Sequence, residues 1–227
     1  MSEVIKARVA QVKQSLSQGN RYGEPVTLVA AIKMQTAEAV NAAIEGGVDA
    51  IAENKPQDFR DKDGLFLPCP RHFIGHLQTN KVKYLIGKVV LFHSCDRDEL
   101  ANEIAKQSQK QGIVSNVLIQ VNIGDESTKS GYPLSQAKSA YARLSQMDGI
   151  CVKGFMAMLP DTDDEGRLRG LARQMRDLFV WGKTQSNAVE YLSMGMSSDY
   201  ALCVEEGSNM IRLGSTLFGA RDYTVKP

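Results

Sequence analysis

The chain has 227 residues, and its 27 Lys and Arg are nearly balanced by 26 Asp and Glu for a formal net charge of +1. That balance provides no basic footprint for a nucleic acid or an anionic membrane surface. The length suits one large α/β domain or two small ones. Cys69, Cys95, Cys151 and Cys203 stand far apart without a C-x-x-C pair. This spacing argues against a disulfide framework or a zinc site, no other metal site is expected, and reduced thiols point to a cytoplasmic setting.

The N-terminal stretch "MSEVIKARVAQVKQSL" lacks the apolar centre of a signal peptide. Val4, Ile5, Val9, Val12 and Leu16 recur at helical spacing and predict an amphipathic helix. No apolar run approaches the roughly 20 residues that a transmembrane helix needs. Strand candidates follow at Val26–Ile32, Asp49–Ala52, His72–Ile74, Val89–Phe92, Asn116–Asn122, Gly149–Phe155, Tyr191–Ser193 and Met210–Leu213. Helical patterns separate them at Thr36–Glu45, Gln57–Asp61, Asn80–Ile86, Asp98–Gln111, Pro133–Met147, Glu165–Thr184 and Asp199–Glu206. Strands alternating with helices imply parallel pairing through right-handed crossovers. About eight such units predict an α/β fold, a single (β/α)8 TIM barrel over residues 1–227 with an extra N-terminal helix. A doubly wound open sheet has the same periodicity and remains the rival.

In a barrel, function gathers at the C-terminal ends of the strands. Polar residues and glycines collect there in this chain, as in "GHLQTNK", "HSCDR", "NIGDESTKSG", "SMGMSSD" and "RLGSTLFGAR". Gly195 permits unusual backbone, and Ser197, Ser198 and Asp199 are good helix N-cap types. The last strand likewise runs into Gly214-Ser215-Thr216. Both loops could be ordinary helix starts. Together, after the last two strands, they form an expected phosphate site. Arg212 lies inside the last strand, where it serves either a structural ion pair or a ligand's ring nitrogen or carboxylate.

The first strand, "VTLVAAIKMQ", ends in Lys33. A lysine there either reaches solvent or does chemistry. In an apolar setting near a phosphate site its amine is expected to be depressed in pKa and nucleophilic. A neutral amine condenses with an aldehyde to give a Schiff base, and an aldehyde that also carries a phosphate is pyridoxal 5′-phosphate (PLP). PLP sites combine a Schiff-base lysine, a phosphate cup and a group at the pyridine nitrogen. A colourless barrel using Lys33 on a sugar phosphate is a further alternative.

The segments "HFIGHLQTNK", "HSCDR", "LIQVNI", "LSMGMSSDY" and "IRLGSTLFGAR", in this order, resemble the pyridoxal-phosphate homeostasis protein family from about Val26 to Tyr223. The resemblance implies a barrel like the N-terminal domain of alanine racemase (PLP fold type III-like). It implies PLP bound as a Schiff base to Lys33, Arg212 at the pyridine nitrogen, and Ser197, Gly214 and Ser215 on the phosphate. Asn54 and Asn80 are implied beside the cofactor. The chain departs from the family pattern at Ile32, Ala52 and Lys55-Pro56, positions expected at the rim of the lysine site.

A fixed cation at the pyridine nitrogen opposes its protonation and weakens the ring as an electron sink. Alanine racemases add a tyrosine from a second domain, and Tyr132, Tyr200 and Tyr223 read more simply as packing or rim residues. The expected function is therefore PLP (vitamin B6) homeostasis by buffering or delivery, with little or no catalysis and apo PLP-dependent enzymes as recipients. The alternative is a PLP-dependent amino-acid racemase. A monomer without nucleic-acid or membrane partners is expected. Lys129 in "ESTKSG" is either a solvated loop lysine or a second amine for PLP exchange. His76 and His93 fall at strand ends and read chiefly as structural. Cys95 has no evident base partner, and the acidic run Pro160–Arg167 reads as a helix entry.

Overall fold

The computed structural model describes residues 1–62, 64–126 and 129–219. The strands are β1 (Thr27–Ala31), β2 (Ala50–Glu53), β3 (Arg71–Phe73), β4 (Leu91–Cys95), β5 (Ser115–Asn122), β6 (Tyr132–Pro133), β7 (Ile150–Ala157), β8 (Tyr191–Ser193) and β9 (Met210–Leu213). They pair in parallel in the order β4-β3-β2-β1-β9-β8-β7-β5, and β4 also pairs with β5. The ring is therefore closed, a (β/α)8 barrel rather than an open sheet. The two-residue β6 hangs on the far end of β5, opposite Val121 and Asn122.

The helices are α1 (Ser2–Ser15), α2 (Ala37–Glu45), α3 (Pro56–Asp61), α4 (Asp98–Lys110), α5 (Leu134–Leu144), α6 (Glu165–Gln185), α7 (Tyr200–Glu205) and α8 (Ser215–Phe218), with a 3-10 helix at Thr79–Tyr84. The stretch expected as a regular helix at Asn80–Ile86 is this 3-10 segment, and Val82 is its buried residue. Its polar sequence, TNKVKY, offers too little apolar surface to support longer helical packing.

Alternation along the strands sorts the core into two layers. On β1, Leu28 and Ala30 face the helices, while Val29 joins Ala50, Ala52, Leu91, Leu118, Met156 and Met210 along the barrel axis. The α1 stripe of Ile5, Val9 and Val12, continued by Leu16, is buried against Leu28, Val40 and Ala43. Each such side chain contributes on the order of 2 kcal/mol by leaving water. Val4, expected on that stripe, is 52% exposed instead, because it sits one step round the helix. On the α1 flank, Lys13 binds Asp49 at 2.8 Å, and Asp49 accepts the Leu28 N–H at 2.7 Å, tying the added helix to the start of β1.

β4 begins and ends later than hydropathy predicts. Its Leu91-Phe92-His93-Ser94-Cys95 run is buried throughout although two members are polar. Those polar groups are buried because they are hydrogen-bonded, a property that hydropathy does not register.

Candidate functional site

At the C-terminal mouth of the barrel, β1 continues through Ile32, whose N–H donates to Ala52 O at 3.0 Å. A turn closed by Gln35 N–H and Ile32 O, 3.1 Å, then ends the strand, and Met34 within it has φ 61°. Left-handed backbone at a non-glycine residue costs on the order of 1 kcal/mol. Ile32 is 1% exposed and packs outward with Ile51, Leu213 and Leu217. It therefore lies in the helix layer and not on the rim expected from the sequence. Ala52 is likewise an axial core residue, and Lys55-Pro56 is the entry of α3, with Pro56 at its first turn.

Lys33 stands on the wall of a cavity of about 490 Å³ over the barrel mouth. Ala31 and Lys33 come from the end of β1, and Asn54, Ile74 and Gly75 from the ends of β2 and β3. Met156 at the end of β7, Met158 just past it, and Met196 supply an apolar side. Ser197 and Ser198 follow β8, and Arg212, Gly214 and Ser215 close the wall from β9. A larger cavity of about 620 Å³ lies on the barrel's flank beside Leu16, Tyr200 and Arg169. It is away from the strand ends, and Arg169 there is already bound by Glu165, Glu205 and Glu206.

The two loops expected to grip a phosphate are joined to one another. Ser197 Oγ accepts the Gly214 N–H at 3.3 Å and the Thr216 N–H at 3.2 Å. Its hydroxyl proton remains to be donated. Gly195 has φ 110°, as its loop position predicts, and an added Cβ would lie 3.0 Å from Tyr200 Cα and 3.1 Å from Cys203 Cβ. Asp199 does stand at the N-cap of α7, but its carboxylate turns back to accept the Met196 N–H at 2.6 Å.

Arg212 is 5% exposed. Its Nη1 donates to Ser193 O at 2.9 Å and Ser193 Oγ at 2.6 Å, and its Nη2 donates to Ala157 O at 3.0 Å. Carbonyls and a hydroxyl therefore hold it, where an ion-paired acid was one expectation. Burial lowers its pKa to about 10, so the guanidinium is still a cation at neutral pH.

Asn54 lines the cavity, and its buried Oδ1 has no hydrogen-bond partner among the described residues. Such an acceptor costs about 1–3 kcal/mol unless something donates to it. Gly75 makes this wall possible: its backbone abuts Asn54, and a Cβ there would overlap the Asn54 carbonyl.

The remaining expected residues lie elsewhere. Asn80 is exposed on the 3-10 helix and is not part of the cavity wall. Lys129 pairs with Glu126 at 2.5 Å and donates to Leu159 O at 3.3 Å, also away from the wall. His76 binds Asp96 at 3.0 Å at the surface. His93 is fully buried in the barrel, bonded to His72 and Ser193. Tyr132 donates to Asp98 at 2.7 Å, Tyr200 packs toward the outer core, and Tyr223 is outside the described residues. Burial pushes the Cys95 thiol up to about 12, which leaves it unreactive. The acidic run does start a helix: Asp164 accepts the Arg167 N–H at 2.9 Å as the N-cap of α6.

Comparison with known proteins agrees with this geometry. The family model for the alanine racemase N-terminal domain matches residues 3–222. A pyridoxal phosphate homeostasis protein of Aquifex aeolicus is 37% identical over 224 residues, covering 97% of this chain and 98% of that one. The structure of PipY from Synechococcus elongatus with PLP bound superposes with a TM-score of 0.82 at 28% identity, covering 95% of this chain and 100% of that one. An alanine racemase of Clostridium difficile shares the fold, with a TM-score of 0.77 at 14% identity, over 96% of this chain and 57% of that one.

Proposed function

Since this chain belongs to the alanine racemase N-terminal domain family and, within it, to the pyridoxal phosphate homeostasis proteins, we propose that it binds PLP at the barrel mouth and serves PLP homeostasis. PLP supplies an aldehyde with which a primary amine condenses reversibly, releasing water. The cavity fits the group. Lys33 is the amine on its wall, Ser197 and the Gly214-Ser215 turn are the anion-binding side, and Arg212 is a fixed cation between them on β9. The observation that carries the reading is that Asn54, on the same wall, has a buried Oδ1 without a hydrogen-bond partner among the described residues. It is an acceptor with no donor among the described residues, and PLP brings a ring hydroxyl.

Each residue then has one task. Lys33 holds the cofactor covalently and releases it when another amine or water competes. Ser197 and Ser215 bind the phosphate through their hydroxyls and the Ser215 N–H, and Gly214, whose own N–H goes to Ser197 Oγ, shapes the turn that holds them. The buried Arg212, which keeps its charge at neutral pH, opposes protonation of a pyridine nitrogen placed beside it and so discourages carbanion chemistry. No tyrosine among the described residues lines the cavity to act as a second acid or base. This supports holding and delivering PLP over racemising an amino acid.

We assign the recipients as apo PLP-dependent enzymes, the working state as a monomer and the setting as cytoplasmic. No described helix is long and apolar enough to cross a membrane. The test is to mix the PLP-loaded protein with an apo PLP-dependent enzyme and to incubate it separately with L-amino acids in deuterated water. Activation of the enzyme with matching loss of bound PLP, and no α-deuteration, is the expected result. Lys33-dependent α-deuteration without transfer establishes the racemase alternative instead.

A further inference from the structure

A continuous line of buried polar groups runs down the barrel axis from the cavity wall to the opposite mouth. Arg212 Nη1 meets Ser193 Oγ at 2.6 Å, Ser193 Oγ meets His93 Nδ1 at 3.0 Å, and His93 Nε2 meets His72 Nδ1 at 3.0 Å. Ser193 and His93 are 0% exposed and His72 is 5% exposed. His72 in turn lines a separate cavity of about 300 Å³ at the N-terminal mouth, beside Asn116, Lys153 and Glu190. The members come from β9, β8, β4 and β3, so no local motif contains them.

The donors and acceptors fix the order of the protons. A guanidinium only donates, so Ser193 Oγ accepts from Arg212. Both histidines are neutral: burial alone lowers His72 to about 4, and burial first, then the neighbouring His72 ring and the Arg212 cation, lower His93 well below its ordinary value. The Ser193 proton then goes to His93 Nδ1, the one proton of His93 sits on Nε2 and goes to His72 Nδ1, and His72 carries its own on Nε2. In the reverse order, Ser193 Oγ would accept from both sides and its proton would need a further acceptor. The first order leaves over only the His72 Nε2–H, at the end of the line beside the N-terminal cavity, whereas the reverse leaves the spare proton on Ser193 Oγ, which is 0% exposed. A closed-packed axis would be cheaper to build from apolar side chains, since a buried polar network is stabilising only when every member is satisfied.

We propose that Ser193 and His93 are positioning residues for Arg212: they set the direction in which its guanidinium meets the cofactor, with His72 as the anchor of the line. The inference rests on the PLP site proposed above. It adds that the electronic state of bound PLP depends on residues that never touch it.

The test uses PLP-loaded wild type, Ser193→Ala, Ser193→Thr, His93→Leu and His93→Gln. The readouts are the visible absorption band of bound PLP and its equilibrium affinity. Ser193→Ala and His93→Leu are expected to shift the band and weaken PLP binding on the order of tenfold, the size of one charge-assisted hydrogen bond. Ser193→Thr, which keeps the hydroxyl, and His93→Gln, which keeps a donor and an acceptor, should hold the band near that of wild type. A purely structural role would lower the melting temperature and leave the band in place. Ser193→Ala removes a single oxygen, so it carries the test if His93→Leu does not fold. Folded Ser193→Ala with wild-type band and affinity overturns the inference while the PLP site stands. A wild type that takes up no PLP overturns both.

Discussion

The backbone N–H of Arg212 donates to the carbonyl of Gly195 at 2.9 Å. The strand bearing the cavity's guanidinium is thus bonded directly to the loop bearing its serines. Gly195 can occupy that link because φ 110° costs glycine little. Gly195→Ala should destabilise the fold by about 2 kcal/mol and weaken PLP binding, since both strain and the close Tyr200 and Cys203 neighbours oppose a methyl group. Gly214→Ala is the contrast. Gly214 has φ −118°, and an added Cβ lies 3.7 Å from its nearest neighbour, so its stability should change by less than ~0.5 kcal/mol. Urea unfolding of the two apo variants checks the difference.

Asn54 separates binding from folding. Its Oδ1 has no hydrogen-bond partner among the described residues, so Asn54→Ala removes a liability of the apo form along with its proposed contact to the cofactor. Apo stability should change by less than ~1 kcal/mol while PLP affinity falls roughly tenfold. A PLP titration beside a thermal melt reads both quantities.

Behind the serine loop, α7 is held by charge. Glu206, just past its end and 2% exposed, binds Arg169 at 2.9 Å and Arg173 at 2.9 Å, both on α6. Hydrogen bonds from Arg173 and then Arg169 hold its carboxyl below the usual range, against the effect of burial. Glu206→Ala should cost about 2 kcal/mol, less than a fully buried pair because both arginines can hydrate. Denaturant unfolding measures it, and PLP affinity should fall with the looser loop.

Acid should unfold the protein in two stages. His72 has a folded pKa of about 4 against 6.5 in its ordinary state. Between those values the unfolded chain binds the extra proton, so stability rises with pH across the window and is lost as pH falls through it. The contribution is about 3 kcal/mol at most. Below it, Glu24 and Glu206, whose pKa values are lowered in the fold, lose their share as they become protonated. Stability measured from pH 7 to 4 should have a shallower slope in His72→Phe than in wild type.

The eight barrel strands, the added helix and the Gly195 turn were legible because each depends on local pattern: apolar runs, helical spacing, a glycine between serines. Lys33, Arg212, Ser197, Gly214 and Ser215 share one cavity wall because strand ends converge in a barrel, a consequence of topology that the element count already contains. The line from Arg212 to His72 was not legible. Its members are separated by up to 140 positions, as the residue numbers show, and buried histidines look the same in sequence as surface ones. The Asn80 expectation came from family resemblance, and the 3-10 helix that carries it leaves that side chain exposed. Ile32 was expected at the rim because adjacency in sequence ignores strand alternation, which sends neighbours to opposite faces.

The central claim is that the Lys33 amine binds PLP covalently. Borohydride treatment of PLP-loaded protein, followed by peptide mass analysis, tests it most directly. The account predicts a yellow protein that bleaches on reduction and carries one phosphopyridoxyl group on Lys33, with no such adduct and loss of the yellow colour in Lys33→Ala. A reduced adduct on another lysine, or a Lys33→Ala protein as yellow and as reducible as the wild type, would contradict it.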